Sequence, residues 1–269
     1  MSTLAVDQAE SLRRMLAPRV TRRIAVVASE PGAGGTTIAS GLAHALSMQG
    51  ERVLLVDEDP AGRAVRLTGA EPAGSFADVR AGRLTLEAAL GARPAGAVAV
   101  LPAGTPQLNV AQWPDSLSGF RSVLIDAVTD ADGALSALAG AVHNVLVVMR
   151  PELASITAAY ACIKRLHHLY ACRHFHLVVN RAATEAAVQA IAGNLARTAR
   201  QYLGVEISSA GWLPADSLVT RSVQLGRCVV EAYPAAPATI ALRRAASGIG
   251  AWPLRAAEPV TAAPSAVAA

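Results

Sequence analysis

Lysine is nearly absent from this chain: Lys164 is the single lysine among 24 basic residues, and the others are arginine. A general replacement of lysine by arginine accounts for most of this bias. Cysteine is also scarce, with three residues and no Cys-x-x-Cys pair. That pattern gives no sign of a disulfide framework and suits a reducing compartment.

Long apolar segments are missing as well. No run of about 18 apolar residues could span a membrane, and no amino-terminal stretch resembles a signal peptide, so we expect a cytoplasmic protein. Core material is ample, because 52% of the 269 residues are hydrophobic and 16% are charged. The net charge of +4 permits contact with nucleic acid or acidic lipid and requires neither.

Short apolar runs alternate with helical patterns through most of the chain. We predict strands at Arg23–Ala28, Val53–Asp57, Val98–Leu101, Val123–Asp126, Asn144–Met149, His176–Asn180 and Ile207–Trp212, and helices at about 36–48, 152–170, 183–203, 216–225 and 236–249. This alternation predicts an α/β fold: a single doubly wound, mostly parallel sheet flanked by helices. We expect one domain over 21–252, a lead-in segment over 1–20 and a disordered tail over 253–269.

Polar residues follow four of the predicted strands, where doubly wound sheets bind their ligands. The first strand leads into Ser29-Glu30-Pro31-Gly32-Ala33-Gly34-Gly35-Thr36-Thr37, a glycine-rich loop before a helix. Asp57 to Asp59 follow the second strand, Asp126 ends the fourth, and Asn180-Arg181 follow the sixth. Helix-start amides suit phosphate, a hydroxyl and a carboxylate suit Mg²⁺, and a second carboxylate can orient a water.

Each of these features alone is also typical of a tight turn, a strand end or a helix cap. Their coincidence at four strand ends favours a magnesium–nucleotide site. A dinucleotide site is disfavoured, because the loop does not complete the G-x-G-x-x-G/A pattern.

Several longer stretches resemble the MinD/ParA family of P-loop ATPases over about residues 22–250. They are "VLLVDEDP", "VLIDA", "VLVVMRPELASITAAYACIKRL", "LVVNRA" and "LPADSLVTRSVQLGRCVVEAYPAAPATIALRRAA". The amino-terminal "DQAESLRR" (Asp7–Arg14) is similar to the DQAxxLR element of the FlhG/FleN branch, whose members regulate flagellar number and placement. Without the resemblance, the same segment would be interpreted as an exposed helix.

The resemblance implies a role for each matching position, with ATP and Mg²⁺ as cofactors. It assigns ATP binding to Gly32, Gly34, Gly35, Thr36, Thr37, Asn180, Arg181, Pro214 and Asp216, the last four on the adenine side. It assigns the metal shell to Thr36, Asp57 and Asp126, and the orientation of the attacking water to Asp59. It assigns partner binding to Asp7, Gln8, Ala9, Leu12 and Arg13, with an FlhF-like signal-recognition-type GTPase as the partner.

The loop departs from the family pattern K-G-G-x-G-K-[ST] at both lysines. Their positions hold Glu30 and Gly35, so the bias toward arginine does not explain the loss. In the family the first lysine reaches the partner's nucleotide across a dimer and the second binds the β- and γ-phosphates. Losing two hydrogen bonds to charged groups costs about 3–6 kcal/mol, or roughly a hundredfold or more in affinity or rate. Arg22, Arg63 and Arg66 are candidates for a replacement charge.

A second departure concerns the segment that begins at Asp126. Its sequence "DAVTD" stands where the family usually has a glycine that contacts the γ-phosphate. We therefore predict a regulator of the FlhG/FleN type with a weak or lost ATPase, acting through partners. Besides the GTPase, these include a flagellar switch or transcription-regulator protein and a second copy of the chain. The location is then cytoplasmic, with peripheral contact at the inner membrane or cell pole left open.

Two alternatives remain at this stage. One is an active MinD/ParA-type ATPase that positions another cargo on membrane or nucleoid, and the other is a scaffold without nucleotide. DNA binding is disfavoured, because no basic stripe with interleaved aromatics occurs. The last helical pattern is interpreted as packed on the sheet rather than docked on membrane, and the "HHLYACRHFH" segment as histidines scattered over a helix end, a turn and a strand.

Overall fold

The computed structural model describes residues 20–93, 97–104 and 115–254. Seven strands form one sheet in the order β3-β2-β4-β1-β5-β6-β7, and all neighbouring pairs are parallel. The strands are β1 Arg22–Ala28, β2 Val53–Asp57, β3 Ala99–Pro102, β4 Ser122–Ala127, β5 Asn144–Met149, β6 His174–Ala182 and β7 Glu206–Pro214. The predicted doubly wound parallel sheet is thereby confirmed.

Helices connect the strands and cover both faces of the sheet. In chain order they are α1 Gly35–Met48, α2 Arg63–Thr68, α3 Phe76–Arg80, α4 Leu86–Leu90, α5 Ala137–Gly140, α6 Leu153–Tyr170, α7 Glu185–Leu203, α8 Ser217–Gln224, α9 Val229–Ala232 and α10 Pro237–Ile249. A 3₁₀ turn at Asp115–Gly119 precedes β4. The short helices between β2 and β3 were not predicted from the sequence.

Alternate residues of each central strand enter two separate hydrophobic cores. In β1, Ala25 and Val27 face the core built with α6 and α7, whereas Ile24 and Val26 face the core built with α1 and α10. Because both faces of the sheet are buried, its strands do not alternate apolar with polar residues. They are continuously apolar instead. The same burial places the polar residues at the strand ends, where the candidate site lies.

The last helix, α10, packs on the domain through Ala238, Leu242, Ala246 and Ile249, all of them buried. It contacts β7 and α1, and a Cβ added at Gly41 of α1 would lie 2.6 Å from Leu242 Cδ1. The packed-helix interpretation of this segment is the one that the structure shows. No helix within the described ranges combines the length and the apolar character that a membrane span requires.

Candidate functional site

The glycine-rich loop runs from the end of β1 to the start of α1 at the carboxyl edge of the sheet. It is tied to β5 by the Ser29 amide, which donates to the Val148 carbonyl at 2.9 Å. A turn closes where the Ala33 amide donates to the Glu30 carbonyl at 3.2 Å. Gly32 and Gly34 adopt φ of 85° and 101°, which L-residues with a side chain rarely adopt.

Gly34 and Asn180 are in close contact, which explains why position 34 has no side chain. Asn180 is buried at the end of β6, and its Nδ2 donates to the Ala33 carbonyl at 2.8 Å. A Cβ at position 34 would lie 2.3 Å from that Nδ2 atom. The side chain expected to recognise adenine therefore supports the back of the loop here. Its neighbour Arg181 is exposed in the same strand end and has a φ of 57°.

The first turn of α1 presents backbone amides at the end of the loop. The first amides of a helix have no intrahelical acceptor, and within the described residues no side chain caps this one. Thr36 and Thr37, which the sequence assigns to a phosphate cradle, stand here half-buried. Position 35, where the family has lysine, is tight: an added Cβ would lie 3.1 Å from Ala28 Cβ.

Asp126, near the end of β4, is a buried carboxylate with an unsatisfied oxygen among the described residues. It is 4% exposed, and its Oδ2 has no hydrogen-bond partner within the described part of the chain. Burial raises the pKa of Asp126 to about 7, partly offset by a hydrogen bond from the Thr36 side chain and raised further by Asp57 and Asp59. A buried carboxylate oxygen without a donor, beside a hydroxyl at a helix start, fits a magnesium shell.

Asp57 is paired in register with Asp126 but has a different environment. Its Oδ1 accepts from the Asp59 amide and its Oδ2 from the Val65 amide, both at 3.0 Å. Burial raises the pKa of Asp57, and these amide hydrogen bonds oppose the rise. The carboxylate thus holds the loop between β2 and α2 in place.

Asp59 and Glu58 extend the acidic edge in opposite directions. Asp59 accepts from the Ala61 amide at 3.0 Å and pairs with Arg63. Burial alone would raise the pKa of Asp59, but these hydrogen bonds outweigh it and the pKa is lowered. Glu58 accepts from the Val128 amide at 3.2 Å and from the Ser136 hydroxyl, so it joins the end of β2 to the segment after β4.

That segment, residues 128–136, is held as a compact hairpin. Thr129 pairs with Leu135 in an antiparallel bridge, and Asp130 Oδ1 accepts from the Asp132 and Ala134 amides. The Tyr170 hydroxyl on α6 donates to the Leu135 carbonyl and accepts from its amide, both at 2.8 Å. The segment that follows the unusual "DAVTD" sequence is therefore fixed to α6, and not to the helix α1 that follows the glycine-rich loop.

Sequence reasoning missed Arg150, which directly follows β5. Its Nη2 and Nε donate to Glu30 Oε1 at 2.6 and 3.1 Å. The Arg150 amide donates to Ser155 Oγ at 2.9 Å, and a second carboxylate, Glu152, lies 3.8 Å from Nε. Hydrogen bonds from Arg150 and Ser155 lower the pKa of Glu30. The acidic residue in the loop is thus neutralised within its own chain.

Arg22 is not near the loop, which corrects its candidacy as a replacement charge. It begins β1, at the opposite edge of the sheet, and donates to Asn144 Oδ1 at 3.1 Å and to the Trp252 carbonyl at 2.8 Å. The same cluster holds His176 stacked on Trp252, with ring centroids 3.6 Å apart. These contacts anchor the chain after α10. Arg63 lies beside Asp59, and Arg66 donates to the Ala61 carbonyl, so these two remain at the site's edge.

The two residues predicted to border the base lie after β7. Pro214 ends the strand, half-buried, opposite Ala182. Asp216 is the N-cap of α8 and accepts from the Leu218 amide at 2.9 Å and the Ala238 amide at 3.1 Å. Its carboxylate therefore joins α8 to α10, a structural role that the sequence did not indicate.

The histidines of "HHLYACRHFH" face different surroundings. His167 bonds to the Cys172 carbonyl at 2.8 Å, His174 pairs with Glu206 at 3.2 Å, and His176 stacks on Trp252. Within the described ranges, no three His, Cys, Asp or Glu side chains form a metal cluster. The partner-binding residues predicted at Asp7–Arg13 lie outside the described residues.

Comparison with known proteins gives consistent matches. The family model CobQ/CobB/MinD/ParA nucleotide binding domain matches residues 24–229. The antiactivator FleN of Pseudomonas aeruginosa is 31% identical over 244 residues, which is 86% of this chain and 87% of that protein.

Two solved structures show the fold. The cell division protein MinD of Aquifex aeolicus has a TM-score of 0.67 at 21% identity, covering 87% of this chain and 100% of that one. MinD of Pyrococcus horikoshii, solved with Mg-ADP, has a TM-score of 0.60 at 19% identity, covering 86% and 96%.

Proposed function

Since the chain belongs to the CobQ/CobB/MinD/ParA nucleotide-binding family and to its FlhG/FleN branch, we propose that it regulates flagellar assembly through protein partners. In this proposal a nucleotide is a bound ligand, and its hydrolysis is slow or lost. The flagellar role rests on the branch. The reduced hydrolysis rests on the loop.

The observation that carries the proposal is the charge of the loop. Glu30 and Gly35 stand at the two lysine positions, and the Glu30 carboxylate is bound to Arg150 of the same chain. Removing one preorganised donor from a transition state costs about 10²–10³ in rate, so two missing lysines support a slow enzyme. Retained nucleotide binding is supported by the conformations of Gly32 and Gly34. It is also supported by Asp126 Oδ2, which has no hydrogen-bond partner among the described residues.

Two features of the described residues fit magnesium-bound phosphates: the conformations of Gly32 and Gly34, and the Asp126 oxygen that has no hydrogen-bond donor. The amides of Gly34, Gly35, Thr36 and Thr37 would hold the phosphates, and the Thr36 hydroxyl and Asp126 would hold the metal shell. Bound Mg²⁺ would supply positive charge against the phosphates. Asp57 would shape the edge of the site, and Asp59 would reach a water after leaving Arg63.

On the base side we propose Asn180, Arg181, Pro214 and Asp216 as the border of the pocket. Asn180 and Asp216 are engaged with backbone groups of this chain. Adenine recognition through Asn180 would therefore use its carbonyl oxygen and the second N–H of Nδ2, since one N–H is already donated to the Ala33 carbonyl. Titration with ADP and with GDP tests this assignment, and equal affinity for both would contradict it.

The amino-terminal segment is the proposed contact with an FlhF-like GTPase. The test is GTP hydrolysis by that GTPase from the same organism, with and without the full-length chain. We expect stimulation that Arg13→Ala lowers at least tenfold. Arg14→Ala is the matched control, because Arg14 lies just outside the DQAxxLR pattern. Equal stimulation by both variants would contradict the assignment.

An active ATPase that positions another cargo is the second candidate, favoured by the retained glycine cradle. Phosphate release from Mg-ATP by the pure chain separates it from the first. Steady turnover at rates of about 1 s⁻¹ or more, typical of enzymes, would overturn the slow-enzyme proposal. Flotation with anionic vesicles tests the membrane contact that the branch leaves open.

A further inference from the structure

The loop residue Glu30 and the strand-end residue Arg150 occupy equivalent places on adjacent strands. Ala28 of β1 is in register with Val148 of β5. Glu30 lies two positions after Ala28, and Arg150 lies two positions after Val148. The positive charge beside the loop thus comes from Arg150, at the end of β5, and not from a residue of the loop. We propose that Arg150 is the phosphate-binding cation of this site, in place of the missing lysine, and that Glu30 holds it until a nucleotide polyphosphate enters.

Arg150 has the chemistry for this exchange. A guanidinium carries five N–H donors in a planar fork that matches phosphate oxygens. Glu30 engages the Nε and Nη2 groups through one carboxylate oxygen, so donors remain for a phosphate. The Arg150 side chain is 30% exposed, which leaves it open to a ligand from solvent.

The surroundings of Arg150 restrain its position without blocking it. Its backbone amide donates to Ser155 Oγ of α6 at 2.9 Å, which fixes the point from which the side chain extends toward the loop. Its second carboxylate neighbour, Glu152, is exposed and 3.8 Å away. Phosphate entering the cradle would compete with Glu30 for the guanidinium, since both are anions whose oxygens accept charge-assisted hydrogen bonds from arginine.

The other basic residues considered from the sequence are less suited. Arg22 lies at the opposite edge of the sheet. Arg63 is 62% exposed and pairs with Asp59 on the β2 side. Arg66 donates to the Ala61 carbonyl on the same side. Of these four arginines, Arg150 is the one that is hydrogen-bonded to the loop in the described structure.

A purely structural role makes a different prediction. If the Glu30–Arg150 pair only fastened the loop to α6, removing either partner would loosen the cradle and weaken phosphate binding. If Arg150 binds phosphate and Glu30 competes for it, the two substitutions act in opposite directions. The inference rests on the nucleotide site of the proposed function, and the sign of each effect tests it separately.

The experiment is calorimetric titration of the full chain with Mg-ADP and with inorganic triphosphate. We expect Arg150→Gln to weaken binding at least tenfold and Glu30→Gln to strengthen it about threefold to tenfold. The double variant should bind like Arg150→Gln, because Glu30 acts through Arg150. Arg200→Gln is the matched control, since Arg200 is exposed and pairs with Glu206 at the far edge of β7; it should bind like wild type.

Melting temperatures of all variants confirm that they fold. Weaker binding by both single variants, or unchanged binding by Arg150→Gln, would overturn the role of Arg150 while leaving the nucleotide site intact. No binding of Mg-ADP or triphosphate by the wild-type chain would overturn this inference together with the proposed nucleotide site. The flagellar partner role would still stand on its own assay.

Discussion

Asp57 and Asp126 are register partners at the ends of β2 and β4, yet their carboxylates differ in hydrogen bonding. Both oxygens of Asp57 accept backbone amides, whereas Asp126 Oδ2 has no partner within the described residues. Two aspartates that look equivalent in the sequence therefore serve different purposes. Asp57 holds the loop after β2, and Asp126 keeps the oxygen that our proposal assigns to a cation.

Asp126→Asn is expected to stabilise the ligand-free chain at pH 8. Burial raises the pKa of Asp126 from 3.8 to about 7, so the ionised form opposes folding. For a carboxyl with a raised pKa this cost is full above pH 7 and disappears below pH 4. Asparagine removes it, a gain of up to about 4 kcal/mol. Thermal unfolding at pH 8 and at pH 4 measures the gain, which should vanish at the lower pH.

The same variant should lose the magnesium dependence of nucleotide binding. Asp57→Asn is the matched control for the stability measurement. Its new amide NH₂ would face a backbone N–H, so this variant should be less stable than wild type by about 1–3 kcal/mol. An Asp126→Asn variant that is less stable than wild type at pH 8 would contradict the assignment of a strained, cation-ready carboxylate.

Gly34→Ala is expected to disrupt the phosphate cradle more than Gly32→Ala. Both positions have positive φ, which costs a residue with a Cβ about 1–2 kcal/mol. At Gly34 the new Cβ would also meet Asn180 Nδ2 at 2.3 Å, whereas at Gly32 nothing lies within 4 Å. Titration with Mg-ADP and denaturant unfolding should show the larger loss at position 34.

Asn180→Ala provides the internal check on that contact. It removes the clashing atom, so the double variant Gly34→Ala/Asn180→Ala should cost less than the sum of the two single variants. Additive losses would show that the Gly34–Asn180 contact is not the cause.

His176→Phe is expected to flatten the loss of stability in mild acid. Burial, with Arg22 and His174 nearby, lowers the pKa of His176 from 6.5 to about 4. The neutral ring is therefore favoured in the fold, and its contribution is full above pH 6.5 and lost as the pH falls toward 4. The difference amounts to up to about 3 kcal/mol. Phenylalanine keeps the stack on Trp252 without titrating.

Thermal unfolding of wild type and variant from pH 7 to pH 4 measures the difference between the two curves. His168→Gln, on the exposed side of α6, is the control and should follow wild type. Parallel curves for His176→Phe and wild type would contradict the assignment of this transition to His176.

Most of the sheet could be predicted from the sequence, and much of its site could not. The bounds of β2 and β5 were predicted to the residue, because buried parallel strands are short apolar runs with polar ends. Helices α2 to α4 were missed, since five or six residues carry no helical periodicity. The capping box formed by Ser75 and Asp78 was a signal that could have located α3.

Arg150 could not be found from the sequence for a different reason. Its partner Glu30 is 120 positions away, and the two meet because β1 and β5 are neighbours in the sheet. Strand order is a property of the whole fold and is not written in local patterns. Asn180 and Asp216 were assigned to the base side of the site from the sequence, but their backbone contacts depend on the same long-range packing.

Gly35→Lys is expected to restore phosphate affinity, and it tests how far the loop has diverged. Its φ does not exclude a side chain, and the added Cβ would lie 3.1 Å from Ala28 Cβ, a contact that a small shift relieves. A lysine hydrogen-bonded to phosphate contributes about 1.5–3 kcal/mol, or roughly tenfold to a hundredfold in affinity. Gly35→Met is the matched control, since it has similar bulk and no charge. If the lysine variant binds Mg-ADP no better than the methionine variant, the cradle has lost the shape of a phosphate loop as well as its charge.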